Sequence, residues 1–210
     1  MEEIKNADYH LGTGFLGTPI LPKVLDDMGE IDLMYKILFK ETYPSWFYSI
    51  NQGATTMWER WNSFSKEGGY NSQSMNSLNH YAYGAIGQWM YERIAGLASL
   101  APGYQKIRIA PLPNTEFLTS ASASVKTPYG KASSSWEIEN GTFNLDVVIP
   151  PNTTAEIHLP KGASKSELSI NDKTLAELSN IKLIDSKDKN VILSLASGTY
   201  QITTKLKSYE

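Results

Sequence analysis

The 210-residue chain has no cysteine and only three histidines. That removes disulfide frameworks, thiol nucleophiles and cysteine-based zinc sites, together with the usual indicator of redox compartment. No charge of one sign dominates, since 19 Lys+Arg face 22 Asp+Glu for a formal net charge of −3. The basic residues are scattered and form no stripe, which argues against nucleic acid as a partner. No apolar run approaches the ~18 residues that would cross a bilayer, so no membrane span is expected. The opening Met1-Glu2-Glu3-Ile4-Lys5-Asn6 lacks an apolar core, so no signal peptide is expected in this chain. Disorder and low complexity are excluded by a content of 41% hydrophobic and 20% charged residues, which is enough to build a core. Nothing in the sequence calls for a metal or an organic cofactor.

Aromatic residues, by contrast, are plentiful at 11%, with five Trp and twelve Tyr. Trp46, Trp58, Trp61 and Trp89 all precede residue 90, among many Gly, Asn and Gln. Indole faces beside amides and carboxylates suit sugar rings, whose C–H faces stack while their hydroxyls take hydrogen bonds. The same residues can equally fill a helical core, and composition leaves both readings open.

The chain changes period midway. In Thr18-Pro19-Ile20-Leu21-Pro22, Thr18 can cap a helix with Pro19 at its first position, and Gly29 is a natural stop. Ile31, Met34, Tyr35 and Leu38 follow helical spacing until the break at Tyr43-Pro44-Ser45. Ser77 to Leu97 carries the strongest helical pattern, with Leu78, Tyr81, Ala82, Ala85, Ile86, Trp89 and Met90 on one stripe. His80, Gly84 and Gly87 lie on the opposite side, where glycines suggest close approach by another backbone or a ligand. After Pro102 the pattern alternates. Strands are expected at 106–110, 120–126, 131–138, 143–149, 155–159, 168–170, 182–184, 191–195 and 199–203, each bounded by Gly, Pro, Asn or Asp. Such spacing predicts an antiparallel β-sandwich. The boundary is placed at Ala101-Pro102-Gly103, giving domains of 1–101 and 102–210, an α+β multidomain arrangement. The helical part has too few helices to cover its own apolar faces, so further helices or another copy of the chain are expected against it.

The densest chemical signal is Asn51-Gln52-Gly53-Ala54-Thr55-Thr56-Met57-Trp58-Glu59-Arg60-Trp61-Asn62. A carboxylate between two indoles, next to amides, fits a glycosidase, which sets one acid on the leaving oxygen and another carboxylate on water or the anomeric carbon. Thr56-Met57-Trp58-Glu59 also matches a capping box, in which Glu59 would only reach back to the Thr56 backbone. His80 can line a pocket or be a satisfied structural histidine. His10 and His158 are read as structural. The sequons at Asn140 and Asn152 carry little information.

These blocks resemble the C-terminal part of bacterial α-L-rhamnosidases. The residues concerned are Thr13-Gly14-Phe15-Leu16-Gly17-Thr18-Pro19, Tyr43-Pro44-Ser45-Trp46, 53–61, Ser77-Leu78-Asn79-His80-Tyr81-Ala82, and Pro102-Gly103-Tyr104 with Ile107-Arg108-Ile109-Ala110-Pro111. The resemblance implies helices from the C-terminal portion of an (α/α)6 toroid followed by a C-terminal β-sandwich. It further implies an inverting hydrolase that releases terminal α-linked L-rhamnose, with a rhamnose-containing glycan or glycoside as partner. Glu59 matches the family's general base and His80 a rhamnose contact, while Trp46, Trp58 and Trp61 would form the pocket wall or its support. Asn62 stands where many members carry Asp. No segment resembles the upstream block that supplies the general acid, so the chain is expected to be a fragment, inactive alone and prone to homo-oligomerise through its toroid helices. Location in a bacterium, whether periplasmic, extracellular or cytoplasmic, stays open. Alternative readings are a non-catalytic carbohydrate-binding or assembly unit, and a toroid glycosidase of different glycone specificity.

Overall fold

A computed structural model describes residues 2–178, 181–184 and 191–206. The chain forms two compact units, Met1–Trp89 and Met90–Glu210. Among the described residues, no helix is long and apolar enough to cross a membrane.

The first unit is built from short helices and long irregular connections. Helix α1 spans Glu2–Asn6, α2 Leu21–Asp27, α3 Ile31–Leu38, α4 Trp46–Asn51 and α5 Ile86–Trp89. A small hairpin pairs β1 (Phe64–Ser65) with β2 (Gly69–Tyr70). Helix α2 starts two residues later than the Thr18 cap predicts, with Pro22 in its first turn. Thr18 is buried, and its hydroxyl is spent on the preceding loop, donating to the Thr13 carbonyl at 3.2 Å. Gly29 ends α2 as expected. At φ 75° it takes the left-handed conformation, so that Glu30 N can donate back to Leu25 O. Helix α3 buries Leu33, Met34, Tyr35, Ile37 and Leu38. Ser45 caps α4, its hydroxyl accepting from Tyr48 N at 3.0 Å.

The long helix expected over Ser77–Leu97 does not form as one element. Residues 77–81 are irregular, because His80 N donates to Met57 O and Ser77 pairs with Glu59. Tertiary backbone pairing has overridden the helical pattern there. A 3-10 turn at Ala82–Ala85 then leads into α5, and Ile86 and Trp89 are buried as the stripe predicted. Tyr81, on the same predicted stripe, is 87% exposed. Among the described residues nothing approaches the two glycines closely: a Cβ on Gly84 would meet Met57 Cγ only at 3.9 Å, and one on Gly87 nothing within 4 Å.

The second unit opens on a wide π turn at Met90–Ile94 and continues as a β-sandwich. Its strands are β3 (Leu97–Ser99), β4 (Lys106–Ile109), β5 (Ser120–Thr127), β6 (Gly130–Glu139), β7 (Thr142–Ile149) and β8 (Thr154–His158). They are followed by β9 (Ser169–Ile170), β10 (Lys173–Thr174), β11 (Lys182–Ile184), β12 (Ile192–Leu195) and β13 (Gly198–Lys205). One sheet runs β10-β9-β13-β7-β6-β5 and the other β11-β12-β8-β4-β3. All pairs are antiparallel except β4 with β8, which the three intervening strands in the other sheet make possible as a long crossover. Alternation within strands sends Phe143, Leu145, Val147 and Ile149 of β7 inward, where they join Ile107, Ile109, Trp136, Ile157, Leu193 and Ile202 in one core. Trp136 satisfies its indole N–H on the Ile94 carbonyl at 2.7 Å. Asn140 (φ 49°) and Gly141 (φ 71°) form the tight turn between β6 and β7, which accounts for that Asn without glycosylation. Gly96 is required by geometry: its φ is 83° and a Cβ there would lie 2.4 Å from Pro111 N.

Candidate active site

Two irregular segments of the first unit, 56–63 and 71–80, lie side by side and carry the residues singled out by sequence. No helix begins at Thr56, so Glu59 is not part of a capping box. The Thr56 hydroxyl donates to the Leu78 carbonyl. Glu59 pairs with Ser77 twice: its backbone N–H donates to Ser77 O at 2.9 Å, and Ser77 N donates to Glu59 Oε2 at 2.8 Å. The Glu59 side chain is half-buried, and Oε1 receives no hydrogen bond from the described residues. One carboxylate oxygen is therefore fixed by a backbone donor and the other is open to a proton.

His80 is half-buried one chain turn away, held by its N–H on Met57 O at 2.8 Å. Its ring is stacked on Phe15 (centroids 4.9 Å, 22°) and on Tyr81 (5.1 Å, 14°). Ala82 N points at His80 Nδ1 across 3.3 Å. That contact makes Nδ1 an acceptor and leaves Nε2 as the edge able to meet a ligand.

An aromatic series continues from His80 through Phe15, and its members Tyr83, Trp61 and Trp46 are buried. Phe15 packs on Tyr83 (5.4 Å), Tyr83 stacks on Trp61 (3.9 Å, 24°), and Trp61 meets Trp46 edge-on (5.3 Å, 80°). Trp46 donates its indole N–H to Tyr83 O at 2.9 Å, and Ser49 Oγ donates to Trp61 O at 2.9 Å. Trp58 is also buried and lies edge-on to Phe64 at 6.4 Å. Burial raises the Tyr83 hydroxyl pKa, with Tyr43 adding to the rise and Arg60 opposing it, so the phenol stays protonated. Phe15, Ser77, Tyr81 and Tyr83 were not expected from the sequence as residues of the site. Phe15, Ser77 and Tyr81 lie within the motif blocks quoted above, but their contacts depend on long-range pairing.

His10 and His158 lie elsewhere. His10 bridges Ala7 O (2.8 Å) and Thr42 Oγ1 (2.7 Å). His158 sits in β8 beside Glu156 at 3.4 Å. Among the described residues, no group of three or more His, Asp and Glu could hold a metal ion.

Comparison with known proteins follows the same division. Residues 1–94 match the bacterial alpha-L-rhamnosidase 6 hairpin glycosidase domain, and residues 96–172 the bacterial alpha-L-rhamnosidase C-terminal domain. An alpha-L-rhamnosidase of Formosa agariphila is 60% identical over 205 residues, covering 98% of this chain and 22% of its own length. The structure of a Streptomyces avermitilis alpha-L-rhamnosidase complexed with L-rhamnose superposes with a TM-score of 0.86 at 40% identity, over 97% of this chain and 19% of that one. An alpha-L-rhamnosidase from Dictyoglumus thermophilum gives 0.84 at 33% identity, over 96% and 22%. The chain thus spans about one fifth of the relatives it matches. Its helices are those of a six-hairpin toroid, its strands those of the C-terminal sandwich, and the chain belongs to the bacterial α-L-rhamnosidase family.

Proposed function

We propose that this chain supplies the general-base side of an inverting α-L-rhamnosidase acting on terminal α-linked L-rhamnose. Residues 1–101 contribute the toroid part and 102–210 the sandwich, whose sheet also draws in Leu97–Ser99. The observation that carries the reading is the Glu59 carboxylate, anchored through Oε2 on Ser77 N with Oε1 left without a partner among the described residues. A base must be held in place yet keep one oxygen free to take a proton from water. In this reading His80 offers its Nε2 edge to the sugar, since Nδ1 already accepts from Ala82 N. Trp46, Trp58 and Trp61 act as support, since all three are buried and hold Tyr83, Phe64 and each other in place. The general acid lies outside these residues, ~6.5–9.5 Å from Glu59 in the assembled site so that water fits between them.

The test is Glu59→Gln in a complete rhamnosidase that includes residues 1–210. Gln still accepts the Ser77 hydrogen bond but cannot take a proton. The expected result is a fall in kcat of ~10²–10⁴ with an unchanged melting temperature. Azide should partly rescue Glu59→Ala and yield the inverted glycosyl azide, whereas a Gln variant with normal kcat removes Glu59 from the mechanism. The chain alone should release rhamnose from a natural flavonoid rhamnoside at background rate, because the leaving oxygen finds no acid.

A second reading, an assembly unit, is favoured by one feature. Leu16, Ile20, Val24 and Met28 recur every four residues along α2 and its approach, and all are exposed. An apolar stripe of that kind is covered by other helices, whether from the rest of a six-hairpin domain or from a second copy of this chain.

A further inference from the structure

We propose that Arg60 is a positioning residue for Glu59, acting by tying down the loop whose amide holds the carboxylate. The inference rests on the reading of Glu59 as base and goes beyond it. It assigns a role to the one charged residue of the Trp58-Glu59-Arg60-Trp61 block that the chemistry does not use.

Ser77 N, the donor to Glu59 Oε2, belongs to the segment 71–80, which contains no strand and no α-helix. Backbone pairing ties Ser77 O to Glu59 N and His80 N to Met57 O, but the stretch 72–76 leading into the donor has no such pairing among the described residues, so its geometry depends on side-chain cross-ties. Arg60 supplies a forked one. Its Nε donates to Met75 O at 3.0 Å and Ser74 O at 3.2 Å, and its Nη2 donates to Ser74 O at 2.9 Å. A planar guanidinium meeting two consecutive carbonyls fixes direction as well as distance, which a lysine ammonium cannot do. Met75 needs such help, because it has φ 59°, a left-handed conformation that a side chain of its size rarely adopts. Just past it, Asn76 Nδ2 donates to Ser63 O (3.2 Å) and Asn71 O (2.9 Å), bracing the loop from the other side. The order along the loop is Arg60 tie, Asn76 brace, then Ser77 N on Glu59. Arg60 and Glu59 are adjacent in sequence, so the base and the clamp that fixes its partner share one stretch of backbone. The carbonyl oxygens also engage the guanidinium, so Arg60 acts on Glu59 through Ser77.

The test uses the 210-residue chain and amide NMR. In the wild type, the Ser77 amide proton should follow a carboxylate titration, and Glu59→Gln should abolish it, separating it from any response to the nearby His80. In Arg60→Met, with the far-UV dichroism retained, the titration of the Ser77 amide should be lost and its hydrogen exchange should quicken about tenfold. Arg60→Lys, which can reach the carbonyls but not fork across them, should restore part of both. A Ser77 amide that titrates and exchanges as in the wild type in Arg60→Met overturns the proposal. If Arg60→Met does not fold, wild-type behaviour in Arg60→Lys overturns it and faster exchange there supports it. The outcome is distinct from failure of the base reading, which is judged by hydrolysis with Glu59→Gln in a complete enzyme.

Discussion

The two units cover their apolar residues to very different extents. In the sandwich, Phe143, Val147, Ile107, Ile157, Leu193 and Ile202 are wholly shielded, and a single core gathers the inward faces of both sheets. In the helical unit, α3 is well buried, yet Leu16 is 88% exposed and Ile20, Val24 and Met28 follow it along one stripe. A half-buried strand needs only its neighbours and one facing sheet, and this chain contains both. Helices of four to eight residues are too short to stand alone and owe their stability to helices around them. The unit that carries the candidate site is therefore the one whose surface is unfinished.

The sharpest way to break this contrast is to empty the closed core. Phe143→Ala should cost about 3–5 kcal/mol of sandwich stability in urea unfolding, because Phe143 is fully buried against Trp136 at 6.1 Å and the hole cannot collapse. A loss under about 1 kcal/mol would mean that the core is looser than it looks.

The helical stripe should answer in the opposite way. Replacing Ile20 and Val24 together by Ser removes exposed apolar surface, so stability should move by no more than about 0.5 kcal/mol each. Association should change instead. Light scattering on the 210-residue chain should show oligomers that the double variant weakens. A wild-type chain that stays monomeric at high concentration would remove the case for an unfinished surface.

The smallest effect concerns pH. Burial holds the His158 pKa below its ordinary 6.5, with Arg108 and Arg93 pushing the same way and Glu156 opposing them. The unfolded chain then binds the proton more readily than the folded one, so this contribution is complete above 6.5 and is lost as pH falls from there through the depressed folded value. His158→Gln should flatten the melting-temperature profile in that window. It should also slightly reduce the acid limb below the ordinary carboxylate value of 4.5, because His158 assists Lys106, 2.5 Å away, in holding Glu156 ionised. An unchanged slope in the variant would assign the near-neutral dependence to other groups.

Legibility also differed between the units, for the same reason. The expected strands from 106 to 203 were readable within a residue or two, since alternation and turn residues such as Asn140-Gly141 act locally, whereas the two-residue β10 was not expected. The strand Leu97–Ser99 was hidden under a helical pattern that Gly96 breaks, and the helix expected from Ser77 gave way to pairing with 57–59. Glu59 and His80 stood out by residue type and motif. Ser77, Phe15 and Arg60, which hold them in place, did not, because a backbone donor or a stacking face carries no sequence mark of its own.

The amino-acid sequence by itself determined the two-part organisation, the sandwich strands, the helix stop at Gly29 and the block around Glu59. These follow from periodicity, turn chemistry and residue type, all of which act over a few neighbours. Only the tertiary structure decided that Glu59 caps Ser77 rather than a helix, that His80 sits between Phe15 and Tyr81, and that the indoles are buried. Each of these depends on segments brought together across the chain, where hydrogen bonds left open by irregular backbone had to find partners.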